Sequence, residues 1–230
     1  PFALITPTTF MSFFQAAEDY YHHFDISTFT RFIRIVAFFL SISLSALYIA
    51  VTTFHHELIP TNLLVSLAAQ REGVPFPAFV EALIMEVIFE ILREAGIRMP
   101  RPIGSAVSIV GAIVIGESAV AAGLVSPAIV IVVSLSAISS FVSPYYALTS
   151  AARMLRFFNM LLAATVGMFG IIFFFFALII HLCSRTSMGK PFFTPILSFH
   201  PEKLKDGILR FPLWWSQTKF HRKQVKKTYE

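Results

Sequence analysis

The amino-acid sequence predicts an all-α integral membrane protein, because of its composition, its long uncharged segments and the positions of its few charges. Of the 230 residues, 56% are hydrophobic and 13% are charged, and the mean hydropathy is +0.73. The charged fraction is about half that of an average soluble domain. Too few charged side chains are therefore present to cover a water-soluble globule, and a lipid bilayer is the expected solvent for most of the chain.

Four transmembrane helices are predicted from the uncharged segments. A bilayer core about 30 Å thick needs about 20 helical residues to cross it. Residues 35–54 carry no charge, and the 50 residues of 103–152 carry one, Glu117. Gly123 and Pro127 divide the longer segment and predict a turn within it. The predicted spans are 35–54, 103–124, 128–148 and 157–182.

The two ends of the chain differ from these spans. Residues 1–34 are mixed in polarity and are predicted to lie along the membrane interface, ahead of a transmembrane domain at 35–183. Residues 184–230 hold ten Lys or Arg and three Asp or Glu, a net charge of +7, whereas residues 1–183 hold eight and ten, a net charge of −2. The positive-inside rule places this basic tail in the cytoplasm. Because the chain opens at Pro1, we expect it to be a fragment of a longer protein.

Arg153 and Arg156 conflict with that orientation. With four spans and a cytoplasmic tail, both arginines fall in a short turn on the outer side of the membrane, where the positive-inside rule disfavours them. A fifth crossing, by the acidic segment, would move them to the inside. Four full crossings remain the prediction, and whether the fifth element crosses stays open.

Residues 76–95 are predicted to form an amphipathic acidic helix. Glu86, Glu90 and Glu94 recur every four residues and therefore share one helix face. A charged residue at the centre of a membrane helix costs about 2.5 to 3.5 kcal/mol, so this face must contact water, protein or a pore. The residues leave two arrangements open, which are a helix lining an aqueous path and a helix lying on the membrane surface.

The second predicted span carries an isolated charge and a ladder of small residues. Glu117 is a candidate for an ion path because ionisable residues inside a membrane are usually functional; the alternative is a helix end reaching interfacial water. Small residues at every fourth position are predicted to let a neighbouring helix approach closely. They are Gly104, Ser108, Ala112 and Gly116.

Catalytic and cofactor motifs are missing from the sequence. It contains no GxSxG, no P-loop and no HExxH, and its single cysteine, Cys183, excludes an intramolecular disulfide. His55 and His56 are interpreted as a hydrated helix end. We therefore expect no enzyme activity, no cofactor and no metal site. The basic tail with Trp214 and Trp215 is typical of contact with membrane lipid, and no nucleic-acid partner is expected.

Several strings extend over nearly the whole chain and together indicate a family. They are PFALITPTTF and EDYY near the start, REGVPFP, EILREAG and AGLVSP in the middle, and GKPFFTPILSF and ILRFPLWW near the end. These strings closely resemble the membrane domain of the A subunit of the GerA-type spore germination receptors of endospore-forming bacteria.

The resemblance implies a multi-subunit receptor in the inner membrane of the bacterial spore. It implies that the A subunit works with a transporter-like B subunit that binds the germinant and with a C lipoprotein. It also implies a homo-oligomeric ring that releases monovalent cations, and a soluble cytoplasmic domain ahead of the membrane part in relatives. In such a ring, Glu86, Glu90 and Glu94 would form stacked carboxylate rings that favour cations.

Two rival functions stay open beside a cation channel. One is a secondary transporter, in which Glu117 and the acidic helix form an intramembrane ion site. The other is a non-conducting scaffold that docks the other subunits of the receptor.

Overall fold

A computed structural model describes residues 7–100, 111 and 114–193, and these residues are mostly helical. The prediction of an all-α chain is confirmed over them, apart from one short hairpin. The helices are α1 (Phe24–Thr53), α2 (Thr61–Arg71), α3 (Ala78–Arg98), α4 (Pro127–Phe141), α5 (Tyr146–Val166) and α6 (Met168–Ser184), with a further helical stretch at 114–121. Short 3-10 helices lie at Phe10–Phe14, Ala17–Tyr20 and His56–Leu58. The hairpin pairs β1 (Thr186–Ser187) with β2 (Lys190–Pro191) in antiparallel register.

The chain divides into two compact units. Of the described residues, those within 1–37, 143–146 and 178–230 form the first unit, and those within 38–142 and 147–177 form the second. Each unit is built from segments that are far apart in the sequence, and the predicted domain boundaries at 34 and 183 stay predictions.

Among the described residues, α1 is the one helix that is both long and apolar enough to cross a membrane. It has 30 residues, and its apolar window has a mean hydropathy of 2.2. α4 and α6 are apolar but shorter. α1 begins at Phe24 rather than at the predicted residue 35, since charged side chains limit the length of a membrane span but not the length of a helix.

Glycine and proline determine where the later helices end. α4 ends at Phe141 rather than at residue 148, and Pro144, which has no N–H to donate, lies in the turn that follows. Gly167 has a φ of +69° and separates α5 from α6, so the predicted span 157–182 is divided between two helices. A residue with a Cβ would pay about 1–2 kcal/mol in this left-handed conformation.

The prediction that Arg153 and Arg156 lie in a turn was wrong. α5 begins at Tyr146, so both arginines lie inside this helix. Ala152, Arg156 and Ala163 are all buried, and their spacings of four and seven residues place them on one helix face. The arginines belong to the interior of the second unit and give no information about which side of the membrane a loop occupies.

The core of the second unit joins α1, α3, α4, α5 and α6. Small and branched apolar side chains dominate it, which allows the helices to approach closely. The fully buried members are Ala46, Ile49, Ala50, Ala82, Met85, Ile129, Val133, Met160 and Ala163.

Several predictions lie outside the described residues. They concern Gly104, Ser108 and Ala112 of the small-residue ladder, and the orientation of the tail with Trp214 and Trp215. Gly116, the last member of the ladder, is buried in the stretch 114–121. A Cβ added there would lie 3.6 Å from Val130 of α4, which is ordinary van der Waals contact, so Gly116 has room for a methyl group.

The first unit contains a buried carboxylate with two arginine partners. Asp19 is 1% exposed, and its carboxylate accepts hydrogen bonds from Arg31 Nε at 3.0 Å and from Arg34 Nη1 at 2.7 Å. Burial by itself raises the pKa of Asp19, but the hydrogen bonds from Arg34, the Ala16 backbone N–H and Arg31 outweigh it, so the pKa lies below its usual value. Asp19 therefore stays ionised and ties its segment to the start of α1.

Asp19→Asn is expected to lower the unfolding temperature at neutral pH, with a difference from the wild type that shrinks in acid. Because the folded pKa of Asp19 is depressed, its stabilisation is complete above the unfolded pKa of about 3.9 and is lost as the pH falls through the folded pKa. The unfolding temperatures of the wild type and of Asp19→Asn are measured in detergent between pH 7 and pH 3. Glu18→Gln, which alters an exposed neighbouring carboxylate, is the matched control, and a pH-independent gap for Asp19→Asn would contradict this account.

Candidate functional site

The carboxylates of α3 range from fully buried to exposed. The side chains of Glu81 and Glu86 are 0% exposed, that of Glu90 is 24% exposed and that of Glu94 is 52% exposed. The acidic face predicted for Glu86, Glu90 and Glu94 is thus turned largely into the second unit, and of these three carboxylates Glu94 is the one most open to its surroundings.

Glu86 forms a buried ion pair with Arg156. Its Oε2 accepts a hydrogen bond from Arg156 Nη1 at 2.6 Å, and its Oε1 accepts one from Ser45 Oγ at 2.7 Å. Arg156 Nε also donates to the Ser41 carbonyl at 2.5 Å. A buried pair is tolerated only where further hydrogen bonds satisfy the remaining lone pairs and protons, and here they come from α1. This pair consequently joins α1, α3 and α5.

Glu90 lies one helical turn further along α3, beside two arginines. Its Oε2 accepts a hydrogen bond from Arg153 Nη1 at 2.8 Å, and its Oε1 is 3.7 Å from Arg93 Nη1. Arg93 Nη2 donates to Ser140 Oγ at 2.6 Å, and its guanidinium carbon lies 4.4 Å from the ring centroid of Phe141. Glu90 thus connects α3 to α5, and Arg93 connects α3 to α4.

Glu81 anchors the beginning of α4, and sequence analysis missed it. Its Oε2 accepts hydrogen bonds from the Ser126 backbone N–H at 3.0 Å and from Ser126 Oγ at 2.9 Å, while its Oε1 accepts one from Arg71 Nε at 3.2 Å. Ser126 is the N-cap of α4 and Pro127 is its first residue. Ser-Pro is a typical start of a helix, and the N-terminus of a helix carries a partial positive charge that attracts a carboxylate. The Ser-Pro pair was therefore the signal in the sequence that α4 begins here and could bind a carboxylate.

Comparison with known proteins now identifies the family. Residues 1–222 match the family described as Bacillus/Clostridium GerA spore germination protein. The chain belongs to the GerA family. The resemblance seen in the sequence strings is thereby confirmed.

Three relatives of this GerA-family chain cover nearly all of it. Spore germination protein KA of Bacillus subtilis (strain 168) is 54% identical over 219 residues, which are 95% of this chain and 40% of that protein. The uncharacterized membrane protein YfkQ of the same strain is 48% identical over 95% of this chain and 42% of YfkQ. Spore germination protein GerLA of Bacillus cereus is 44% identical over 92% of this chain and 43% of GerLA. The chain thus spans about two fifths of the length of these curated relatives, and no solved structure matches it.

The arginines of α5 are the other residues of this GerA-family site that sequence analysis did not assign. Arg153 and Arg156 are three positions apart, and Glu86 and Glu90 are four positions apart, so both pairs present one helix face. Their partners run in opposite order, Arg153 with Glu90 and Arg156 with Glu86. The signal in the sequence was the poor fit of both arginines to the positive-inside rule.

The remaining predicted candidates lie apart from these ion pairs. Glu117 is exposed in the stretch 114–121, and within the described residues no ion pair joins it to the α3 carboxylates. Residues 7–100, 111 and 114–193 hold no group of three His, Cys, Asp or Glu side chains that could bind a metal ion. The chemistry of the described site is therefore that of paired carboxylates and guanidinium groups.

Proposed function

We propose that this GerA-family chain is the membrane part of a germinant receptor A subunit, and that copies of it form a ring that releases monovalent cations during germination. One observation carries the proposal. α3 holds four carboxylates along its length, at 0%, 0%, 24% and 52% exposure, in a helical unit whose core is apolar. Ionisable side chains are expensive inside a membrane and usually mark ion pathways there.

The proposed setting is the inner membrane of the bacterial spore. α1 supplies one crossing by its length and hydropathy, a relative is named a membrane protein, and two relatives are named spore germination proteins. The proposal also includes three further crossings, at 103–124, 128–148 and 157–182. Its partner subunits are a transporter-like B subunit and a C lipoprotein.

Of the three carboxylates predicted to form rings, Glu94 is the one we propose for cation selectivity, because Glu86 and Glu90 are paired with arginines of the same chain. Glu86 and Glu90 each have an arginine of α5 within 2.8 Å, so their charges are largely neutralised inside the chain. Glu94 pairs with Arg98 at 2.8 Å, with both side chains more than half exposed. Such exposed pairs contribute only about 0–1 kcal/mol. A passing cation can therefore compete with Arg98 for Glu94 far more easily than it can displace Arg156 from Glu86.

Glu94→Gln is expected to weaken cation selectivity, because it removes one negative charge per subunit from the proposed ring. With purified protein in a planar bilayer under a KCl gradient, the reversal potential should move from near the potassium equilibrium potential toward zero. Arg98→Gln should leave the preference for cations intact or increase it, since it frees Glu94 from its partner.

Glu72→Gln is the matched control, since Glu72 is an exposed carboxylate at the end of α2. Its reversal potential should equal that of the wild type. An unchanged reversal potential in Glu94→Gln would remove Glu94 from the path, and the absence of any current from the oligomer would favour a non-conducting scaffold.

A further inference from the structure

The ion pairs of α3 and α5 belong to one cluster with an excess positive charge. We call the following five residues the charge cluster: Glu86, Glu90, Arg93, Arg153 and Arg156. Direct contacts join Arg156 to Glu86 and Arg153 to Glu90, and Arg93 interacts electrostatically with the other four. Two carboxylates face three guanidinium groups, which stay protonated in proteins. The charge cluster therefore carries a net charge of +1.

Arg156 and Arg93 each hold a buried guanidinium nitrogen without a hydrogen-bond partner. These nitrogens are Arg156 Nη2 and Arg93 Nη1, on side chains that are 2% and 10% exposed. Each is a charged donor removed from water, and leaving such a donor unpaired is among the costliest arrangements in a protein interior. The excess charge and the unused donors occur on the same groups.

The glutamates of the charge cluster cannot remove this excess. Both oxygens of Glu86 already accept hydrogen bonds, from Arg156 and from Ser45. Glu90 Oε2 accepts a hydrogen bond from Arg153. Glu90 Oε1 lies 3.7 Å from Arg93 Nη1, which is too far for a hydrogen bond. An acceptor for Arg93 Nη1 and Arg156 Nη2 must therefore come from outside the cluster.

We propose that the charge cluster binds one compact monovalent anion, a halide or a carboxylate, through the guanidinium groups of Arg93 and Arg156. One such anion cancels the charge of +1 and accepts hydrogen bonds from Arg93 Nη1 and Arg156 Nη2. A divalent anion would replace an excess of +1 by an excess of −1, and a bulky anion does not suit side chains that are only 2% and 10% exposed. This inference is independent of whether a ring of these chains conducts ions.

Anion-dependent thermal unfolding tests the proposal directly. Purified protein in neutral detergent is unfolded at constant ionic strength in sodium gluconate, a bulky anion that serves as the reference, and in mixtures with increasing chloride or acetate. A ligand that binds only the folded state raises Tm in a saturable way, by about 5–10 °C at a hundredfold excess over its Kd. A rise with chloride assigns a halide, a rise with acetate assigns a carboxylate, and equal Tm in all three salts overturns the proposal.

Substitutions in the charge cluster move the anion response in opposite directions. Arg93→Gln lowers the net charge from +1 to 0, so its Tm should be the same in chloride, acetate and gluconate. Glu90→Gln raises the net charge to +2, and the anion concentration that gives half of the Tm rise should fall at least tenfold. If Arg93→Gln does not fold, the increased affinity of Glu90→Gln still decides the question.

Arg98→Gln is the matched control, because Arg98 lies on the same helix but is 78% exposed and outside the charge cluster. Its anion response should equal that of the wild type. A full anion response in Arg93→Gln, or an unchanged affinity in Glu90→Gln, would show that the stabilisation is a general salt effect and would overturn the site.

Discussion

Arg156→Gln is expected to destabilise the second unit by about 3–5 kcal/mol, the usual cost of leaving a buried charge without its partner. The carboxylate of Glu86 is fully buried, and without Arg156 it would keep only the hydrogen bond from Ser45. The Ser41 carbonyl would also lose the donor at 2.5 Å. Titration with SDS in mixed micelles measures the free energy of unfolding.

A double-mutant cycle separates the ion pair from simple loss of packing. Glu86→Gln alone leaves Arg156 buried and unpaired, and is expected to be nearly as harmful as Arg156→Gln. The double variant, with glutamine at both positions, leaves neither member of this ion pair charged, so its destabilisation should be smaller than the sum of the single effects by about 0.5–3 kcal/mol.

The exposed ion pair of Glu94 with Arg98, on the same helix, has the same chemical groups as the buried pair and serves as its comparison. Glu94→Gln and Arg98→Gln remove partners that are 52% and 78% exposed, and each should change the free energy of unfolding by no more than about 1 kcal/mol. Additive effects of Glu86→Gln and Arg156→Gln would show that the two side chains contribute independently, which would contradict the buried pair.

Local patterns in the sequence sufficed to predict the acidic helix. The four-residue spacing of Glu86, Glu90 and Glu94 placed them on one face, and the structure has a continuous helix through all three, α3. The insertion cost of charges also indicated that this face avoids lipid. Both conclusions depend only on helix geometry and solvation, which act over a few residues.

The partners of those carboxylates could not be predicted, because they are distant in sequence. Arg156 is 70 residues from Glu86, and Arg153 is 63 residues from Glu90. No spacing rule connects such positions, so neither of the two predicted arrangements, a helix lining an aqueous path or a helix on the membrane surface, included these pairs within the chain. The break at Gly167 was missed for a different reason, since the apolar residues on both sides of it resemble one continuous span.

Glu81→Ala is expected to detach the start of α4 and the end of α2 from α3. The substitution removes three hydrogen bonds to one buried carboxylate, from Ser126 N–H, Ser126 Oγ and Arg71 Nε. Hydrogen bonds to a charged group contribute about 1.5–3 kcal/mol to stability. The Ser126 N–H is buried at the N-terminus of α4, where no residue of its own helix can accept it, so the loss should approach the upper end of this range.

Hydrogen–deuterium exchange distinguishes this local release from general loosening. Exchange should accelerate in residues 122–130 and in α2, while residues 38–53 of α1 keep their wild-type rate, because opening of a helix end is a local event.

Two further variants serve as comparisons. Glu81→Gln retains a carbonyl acceptor for Ser126 but loses the charge that faces Arg71, so its exchange rates are expected to lie between those of the wild type and Glu81→Ala. Glu72→Ala, at an exposed site, should leave exchange unchanged. Uniform acceleration across the second unit in Glu81→Ala would mean that Glu81 supports the whole core, and equal rates in Glu81→Ala and wild type would mean that water replaces the carboxylate at no cost.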